Sequence, residues 1–401
     1  MYITRDIEAH VLKLAGFYPI VTVTGPRQAG KTTLIRHLFP NHVYLNLETR
    51  DMRDLAMADP KAFLAAERGP MILDEIQRLP QLLEYVQVEV DRNPEKGRFI
   101  LTGSHQPELA QAVSETLAGR TGMVELLPLS FAELKEAGVD VRRRDQMMVD
   151  GFMPRRLVDA IEPFQFYSDY FRTYVERDAR RLLNIADLDR FELFVRLLAG
   201  HVGRQLNKQS LANDVGVSDK TIANWLSVLR ASYIVFPVKP YYNNFGKRQT
   251  KSPKICFTEV GLVAYLLGIR TVEQLSTHPL LGNLFENMVM VEALKYRLNR
   301  GLGSDLYFYR NQSGSIEVDL VYEDGARLLP REIKSSSTYS SSMSTHLKSF
   351  RELAPHTENP LVIYSGETVP NVVAHYSDTH VWMKSFESAS AVTDAAGQRL
   401  H

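Results

Sequence analysis

The sequence predicts an α/β chain with a mostly parallel-sheet core in front, a helical segment and a helix-turn-helix unit behind it, and a second α/β unit at the rear. Three observations predict this. Residues 19–33 hold an apolar, β-branched run that stops at a glycine and restarts as a helix. Residues 1–128 alternate short apolar runs with helical patterns, the mark of a mostly parallel sheet. Beyond residue 259 a helical pattern precedes strands that carry carboxylates and a lysine at alternate positions.

Gly25, Pro26, Arg27, Gln28, Ala29, Gly30, Lys31 and Thr32, followed by Thr33, satisfy the pattern G-x-x-x-x-G-K-S/T. The glycines let backbone N–H groups turn inward around phosphates, and the following helix offers its positive end. Lys31 is placed to neutralise the β- and γ-phosphates of ATP, and the Thr32 hydroxyl to ligate Mg²⁺.

Composition limits the rest. A chain of 401 residues, 44% hydrophobic and 23% charged, is long enough for about two to four domains with real cores. Lys+Arg and Asp+Glu both number 47, so any nucleic-acid binding must come from a local patch. A single cysteine, Cys256, excludes an internal disulfide framework and a cysteine-based zinc cluster. No apolar run reaches membrane-spanning length and the first ten residues are polar, so the expected location is cytoplasmic.

Strands are expected at Ile20–Thr24, Val43–Leu47, Met71–Leu73, Arg98–Thr102 and Met123–Leu127. The third runs into Asp74-Glu75, which places two carboxylates at the strand edge where such sheets bind ligands. Asp74 is expected to hold Mg²⁺ through water, and Glu75 to polarise the water that attacks the γ-phosphate. The fourth strand ends Leu101-Thr102-Gly103-Ser104, with Ser104 or Thr102 as γ-phosphate sensor. Arg120, just before the fifth strand, is either a further γ-phosphate sensor or an ordinary surface arginine.

Together Gly25–Thr32, Leu73-Asp74-Glu75-Ile76-Gln77, Leu101–Ser104, Ala118-Gly119-Arg120 and Leu127-Pro128-Leu129-Ser130-Phe131 resemble a large prokaryotic group of AAA-type ATPases. The resemblance implies the AAA+ sheet order, with the sensor strand between the two motif strands, and a C-terminal domain long catalogued as of unknown function. Residues 129–190 then stand at the position of a helical lid, with helices at Phe131–Ala137 and Gln165–Leu183. Gly151-Phe152-Met153-Pro154 resembles the group's Gly-Gly-aromatic-Pro turn, with Phe152 where the second glycine usually stands. Arg172, Arg177, Arg180 and Arg181 crowd the second helix, either as solvated charges paired with Glu176 and Asp178 or with one reaching the nucleotide of a neighbour in a homo-oligomer.

Residues 191–258 read as a winged helix. Ala212, Gly216 and Ile222 supply the small residue, tight turn and buried anchor of a helix-turn-helix, and Ser218 caps the second helix. Tyr233–Val238 and Lys254–Thr258 are the expected wing strands. Between them lie Lys239, Lys247, Arg248 and Lys251 with Tyr241, Tyr242 and Phe245, suited to phosphates and bases of DNA. Docking of a protein is the alternative use.

In residues 259–390, Glu317 and Asp319 share one strand face, and Glu332 and Lys334 share a face of the next strand, with Ile333 turned inward. With Glu286 on the preceding helix, this resembles the PD-(D/E)XK nuclease arrangement. The resemblance implies that Asp319 and Glu332 hold Mg²⁺, that Lys334 orients or activates water, and that Glu286 is the helical acid. Pro330 predicts an edge strand or a bulge beside this element. The units expected are thus 1–128, 129–190, 191–258, 259–390 and a polar tail, 391–401. Two functions follow as expectations: an ATPase coupled to a metal-dependent nuclease, or an ATP-gated DNA- or protein-binding switch with an inactive nuclease-like unit.

Overall fold

The structure is a computed structural model that describes residues 2–65, 69–103, 113, 115–176, 188–242, 252–324 and 326–383. In the front unit, strands β1 (Ile20–Thr24), β2 (Val43–Asn46), β3 (Met71–Asp74), β4 (Phe99–Thr102) and β5 (Thr121–Glu125) form a parallel sheet in the order β2-β3-β4-β1-β5. Residues of β1, β3 and β4 are buried throughout, because helices cover both faces of a parallel sheet. The sensor strand β4 lies between β1 and β3, as the resemblance implies. The last strand starts at Thr121, two residues before the Met123 read from the sequence.

Behind β5 the chain enters short helices. Ser130 and Glu133 form a reciprocal capping box on the helix Phe131–Glu136. Gly151 ends the helix Arg144–Asp150 with φ +66°, and a Cβ there would stand 1.9 Å from the Tyr167 hydroxyl and 2.3 Å from Glu259 Oε1. Only glycine fits. Phe152 does not need a glycine's conformational freedom: it is buried, its ring edge-on to Phe131. The helix expected over Gln165–Leu183 is broken. An α-helix runs Pro163–Tyr170 and passes into a π-turn at Phe171–Val175; residues after 176, with Arg177, Arg180 and Arg181, lie outside the described residues.

Helices Leu188–Gly200, Lys208–Val215 and Asp219–Ala231 follow. Gly216 adopts φ +74° at the turn between the last two, Ser218 Oγ accepts the Thr221 N–H at 3.1 Å, and Ala212 and Ile222 are buried as anticipated. Next come β6 (Val235–Pro240) and β7 (Lys254–Phe257), an antiparallel pair. Phe245, Lys247, Arg248 and Lys251 between them lie outside the described residues.

The pair does not close a unit of its own. With β8 (Tyr307–Arg310), β9 (Glu317–Asp324), β10 (Arg327–Lys334), β11 (Leu361–Tyr364) and β12 (Val373–His375) it makes one sheet, ordered β12-β11-β10-β9-β8-β6-β7. The boundary expected at 258 therefore falls inside a sheet, and one continuous cluster of buried side chains runs from Leu127 to Met383. Strand β10 is interior, which corrects the edge reading of Pro330. Pro330 pairs with Val321 of β9, and the ladder to β11 begins only at Arg331, so its missing N–H interrupts nothing. The long helix Leu281–Asn299 packs across this sheet. The tail, 391–401, lies outside the described residues.

Candidate functional site

At the mouth of β1 the chain turns too tightly for a side chain. Gly25 has φ +145°, and a Cβ on it would stand 2.1 Å from the Leu126 carbonyl oxygen. Gly30, φ +92°, opens the helix Lys31–Leu38, whose first N–H groups face the cavity. Lys31 is nearly fully buried, and its Nζ donates to the loop's own carbonyls, Gly25 at 3.0 Å and Pro26 at 2.8 Å. Burial lowers its amine to about 8, against the pull of Glu75 and Asp74.

Asp74 ends β3 beside it. Its carboxylate accepts from Thr32 Oγ1 at 2.9 Å, from the Tyr44 hydroxyl at 2.6 Å and from Thr102 Oγ1. A buried carboxylate touching a threonine hydroxyl is a donor set that suits a hard, oxygen-loving cation. Glu75 takes φ +59°, accepts a bond from Gln77 and lines the cavity. That cavity, about 550 Å³, is walled by Tyr2, Arg27, Gln28, Thr33, Pro154 and Tyr174 among others.

Arg5, which also lines this cavity, is a buried clamp. Its guanidinium donates to the carbonyls of Ala29 at 2.9 Å and Leu127 at 2.7 Å, and its Nε lies 3.0 Å from Glu133 Oε1. Of the two sensor candidates, Thr102 rests on Asp74, and Ser104 lies outside the described residues. Arg120 requires a correction. Its carbonyl meets the first residue of β1, at the opposite end of a five-residue strand from the loop. That is about 16 Å from the phosphate site. Its guanidinium forms a two-pronged pair with Asp91 at 2.7 and 2.9 Å, so it does not sense a phosphate bound in its own chain.

The rear residues do converge. Glu286, Asp319, Glu332 and Lys334 surround a cavity of about 530 Å³ with Glu317, Arg204, Arg310 and His346. Lys334 Nζ lies 2.5 Å from Glu332 Oε1 and 3.7 Å from Asp319 Oδ2. Burial, then the charge of Asp319, pushes Glu332 up to about 8 against the pull of Lys334; burial likewise pushes Glu286 up to about 7. Sequence reasoning missed one member. Lys254 of β7 reaches in beneath the carboxylates, 2.9 Å from both Glu286 Oε1 and Glu317 Oε1. Burial alone would depress its ammonium, but Glu286, Asp319 and Glu317 outweigh that and hold it above its ordinary value. The resemblance implies a divalent metal here, and the residues present do not fit one, because a lysine cation stands among the ligands. Among the described residues no group of three or more His, Cys, Asp or Glu side chains is arranged to hold a metal ion.

Two curated mycobacterial proteins are similar along most of the chain. Each is 33% identical over 342 residues, 85% of this chain and 76% of the relative: "Uncharacterized protein Rv2008c" of Mycobacterium tuberculosis and "Uncharacterized protein Mb2031c" of Mycobacterium bovis. The chain belongs to their family. Residues 18–135 match the AAA domain, 141–273 a domain of unknown function (DUF8612), and 281–380 another (DUF4143). This family member is a P-loop ATPase of the AAA type, which binds and hydrolyses ATP. Similar solved structures include the Walker-type ATPase PABY2304 of Pyrococcus abyssi, at TM-score 0.46 and 15% identity over 66% of this chain and 96% of that one. AMPPCP-bound DnaA from Aquifex aeolicus is similar at TM-score 0.29 and 14% identity over 56% of this chain and 85% of that one. The rear cavity draws on both domains of unknown function, Lys254 from one and Glu286, Asp319, Glu332 and Lys334 from the other. No described helix is long and apolar enough to cross a membrane.

Proposed function

We propose that this ATPase is a nucleotide-driven switch that binds DNA through a winged helix, 191–258, and passes its nucleotide state to a PD-(D/E)XK-like rear unit. The loop Gly25–Thr33 cradles the triphosphate, and Lys31 exchanges the carbonyls of Gly25 and Pro26 for phosphate oxygens. Thr32, and Asp74 through water, would hold Mg²⁺, which would supply positive charge to the phosphates. Glu75 polarises the attacking water, and Thr102 or Ser104 senses the γ-phosphate.

One observation carries the coupling. The turn Gly151–Pro154 is shared between front and rear. Pro154 walls the nucleotide cavity, while the Phe152 N–H donates to Glu259 Oε1 at 3.0 Å and Lys295 Nζ lies 4.0 Å from the centre of the Phe152 ring. Glu292 and Lys295, on the helix that carries Glu286, also hold the Phe131 N–H at 2.9 Å and the Leu129 carbonyl at 2.7 Å. A lid that shifts with nucleotide thus pulls on the rear helix directly. The arrangement of Lys254 favours the reading in which the rear unit binds without cutting. The convergence of Asp319, Glu332 and Lys334 favours the second reading, metal-dependent cleavage.

The test is DNA affinity by fluorescence anisotropy with ATP analogue and with ADP, in wild type and Lys295→Met. A several-fold difference between nucleotides in wild type, lost in the variant while phosphate release persists, is expected. Equal affinities in wild type refute the switch. Plasmid cleavage abolished by Asp319→Ala would establish the second reading.

A further inference from the structure

We infer that Lys254 is a built-in cation of the rear cavity, standing where a divalent metal would otherwise sit between Glu286 and Asp319 and keeping that metal out. The inference draws on the PD-(D/E)XK resemblance only for the expectation of a metal, and it holds whether or not the front ATPase drives the rear unit.

The lysine is fixed from both ends. Its backbone is held on one side by the ladder to β6, where it pairs with Val238, and on the other by a bridge to Gln205. The bonds Gly203 N–H to Ile255 O at 3.1 Å and Leu206 N–H to Pro253 O at 2.9 Å bracket it. Its side chain is buried, its Nζ 5.2 Å from the centre of the Phe308 ring. The ammonium then meets Glu286 and Glu317 at 2.9 Å each and Asp319 Oδ1 at 3.9 Å.

One oxygen of each carboxylate is already engaged. Asp319 Oδ2 accepts the Ile333 N–H at 2.9 Å, and Glu332 Oε1 holds Lys334. Of the cavity's carboxylate oxygens, Glu332 Oε2 is buried without a hydrogen bond, and Asp319 Oδ1, the other oxygen facing it, has the Lys254 ammonium 3.9 Å away, so an ion that takes six or more ligands would have to share its oxygens with that charge. Charge agrees with geometry. The carboxylates of Glu286, Glu317, Asp319 and Glu332 face the cations Lys254, Lys334 and Arg310, with His346 3.9 Å from Glu332. The cluster is thus close to neutral as it stands. A divalent ion bound at the usual 2.0–2.6 Å from these oxygens would share them with the ammonium, and the buried stem leaves Lys254 no solvent to retreat into.

Manganese binding tests this without reference to ATP or DNA. Full-length, nucleotide-free protein carrying Asp74→Asn, which removes the front carboxylate, is titrated with Mn²⁺ and followed by electron paramagnetic resonance. No stoichiometric binding is expected below about 1 mM. In the same background Lys254→Ala should gain one Mn²⁺ with an affinity on the order of 0.1 mM or tighter, and Asp319→Asn should remove it. Circular dichroism checks folding, and Lys254→Gln, which keeps much of the stem, replaces the alanine if the latter does not fold. One equivalent of Mn²⁺ in the parent that disappears with Asp319→Asn overturns the inference. So does a folded Lys254 variant that gains no ion, since the lysine would then not be what excludes it.

Discussion

Replacing Arg5 with methionine removes a buried cation that holds three parts of the front unit together. The guanidinium ties the phosphate loop at Ala29 to the end of the sheet at Leu127 and to Glu133 at the start of the lid. Breaking a buried pair by removing one partner costs about 3–5 kcal/mol, because the other charge is left without compensation. Two features place this case at the lower end. The Arg5 Nε approaches Glu133 Oε1 without aligned hydrogen-bond geometry, so the contact is held by charge. Glu133 also keeps the N–H groups of Asp6 and Ser130, both at 2.8 Å. The expected loss is about 3 kcal/mol, read from urea unfolding of the nucleotide-free protein. A double-mutant cycle with Glu133→Gln should return a coupling of at least about 1 kcal/mol. ATP affinity should also fall, by roughly tenfold, because Ala29 loses its tether. A loss under about 1 kcal/mol, or strictly additive effects, would refute the clamp.

Other expectations follow from single contacts. Gly151→Ala should lower stability by about 3 kcal/mol or more in thermal unfolding, since its Cβ meets Tyr167 and Glu259 at 1.9 and 2.3 Å on a positive-φ backbone. Tyr44→Phe removes a 2.6 Å bond to the buried Asp74 carboxylate and should cost about 1.5–3 kcal/mol by denaturant midpoint. Lys31 titrates near 8 when folded because it is buried, so its charge opposes the nucleotide-free fold at neutral pH. A lysine depressed on folding adds stability above its unfolded value and loses it as pH falls through 8. Nucleotide-free Lys31→Met should therefore be more stable than wild type at pH 7, by about 1–3 kcal/mol, and lack the wild-type rise between pH 8 and 10.5. Parallel stability curves for the two proteins would contradict this.

Much of the front site is legible in the residues because its parts are local. Gly25, Gly30, Lys31 and Thr32 act within one strand-turn-helix, where backbone freedom and side-chain chemistry are set by residues a few positions apart. Asp74 and Glu75 announce themselves by following an apolar run. Arg120 shows where such reading stops. Its place beside Gly119 says nothing about which sheet edge it occupies, and the parallel alignment of β5 with β1 carries it to the end opposite the loop. Tyr44 reaches Asp74 only because β2 and β3 lie side by side. Arg5 lies 122 residues from the carbonyl at Leu127 that it grips.

The amino-acid sequence by itself determined the phosphate loop, the carboxylates after β3, the paired helices around Gly216 and the alternation that places Asp319, Glu332 and Lys334 on facing strand positions. These depend on local periodicity and backbone sterics, which short stretches carry. Tertiary structure alone decided that β6 and β7 extend the rear sheet, that the turn at Gly151 is gripped from behind, and that Lys254 lies among the rear carboxylates. Those outcomes depend on strand order and on burying charge against charge across 32 residues between Lys254 and Glu286, and no stretch of chain encodes such a partner until the whole has packed.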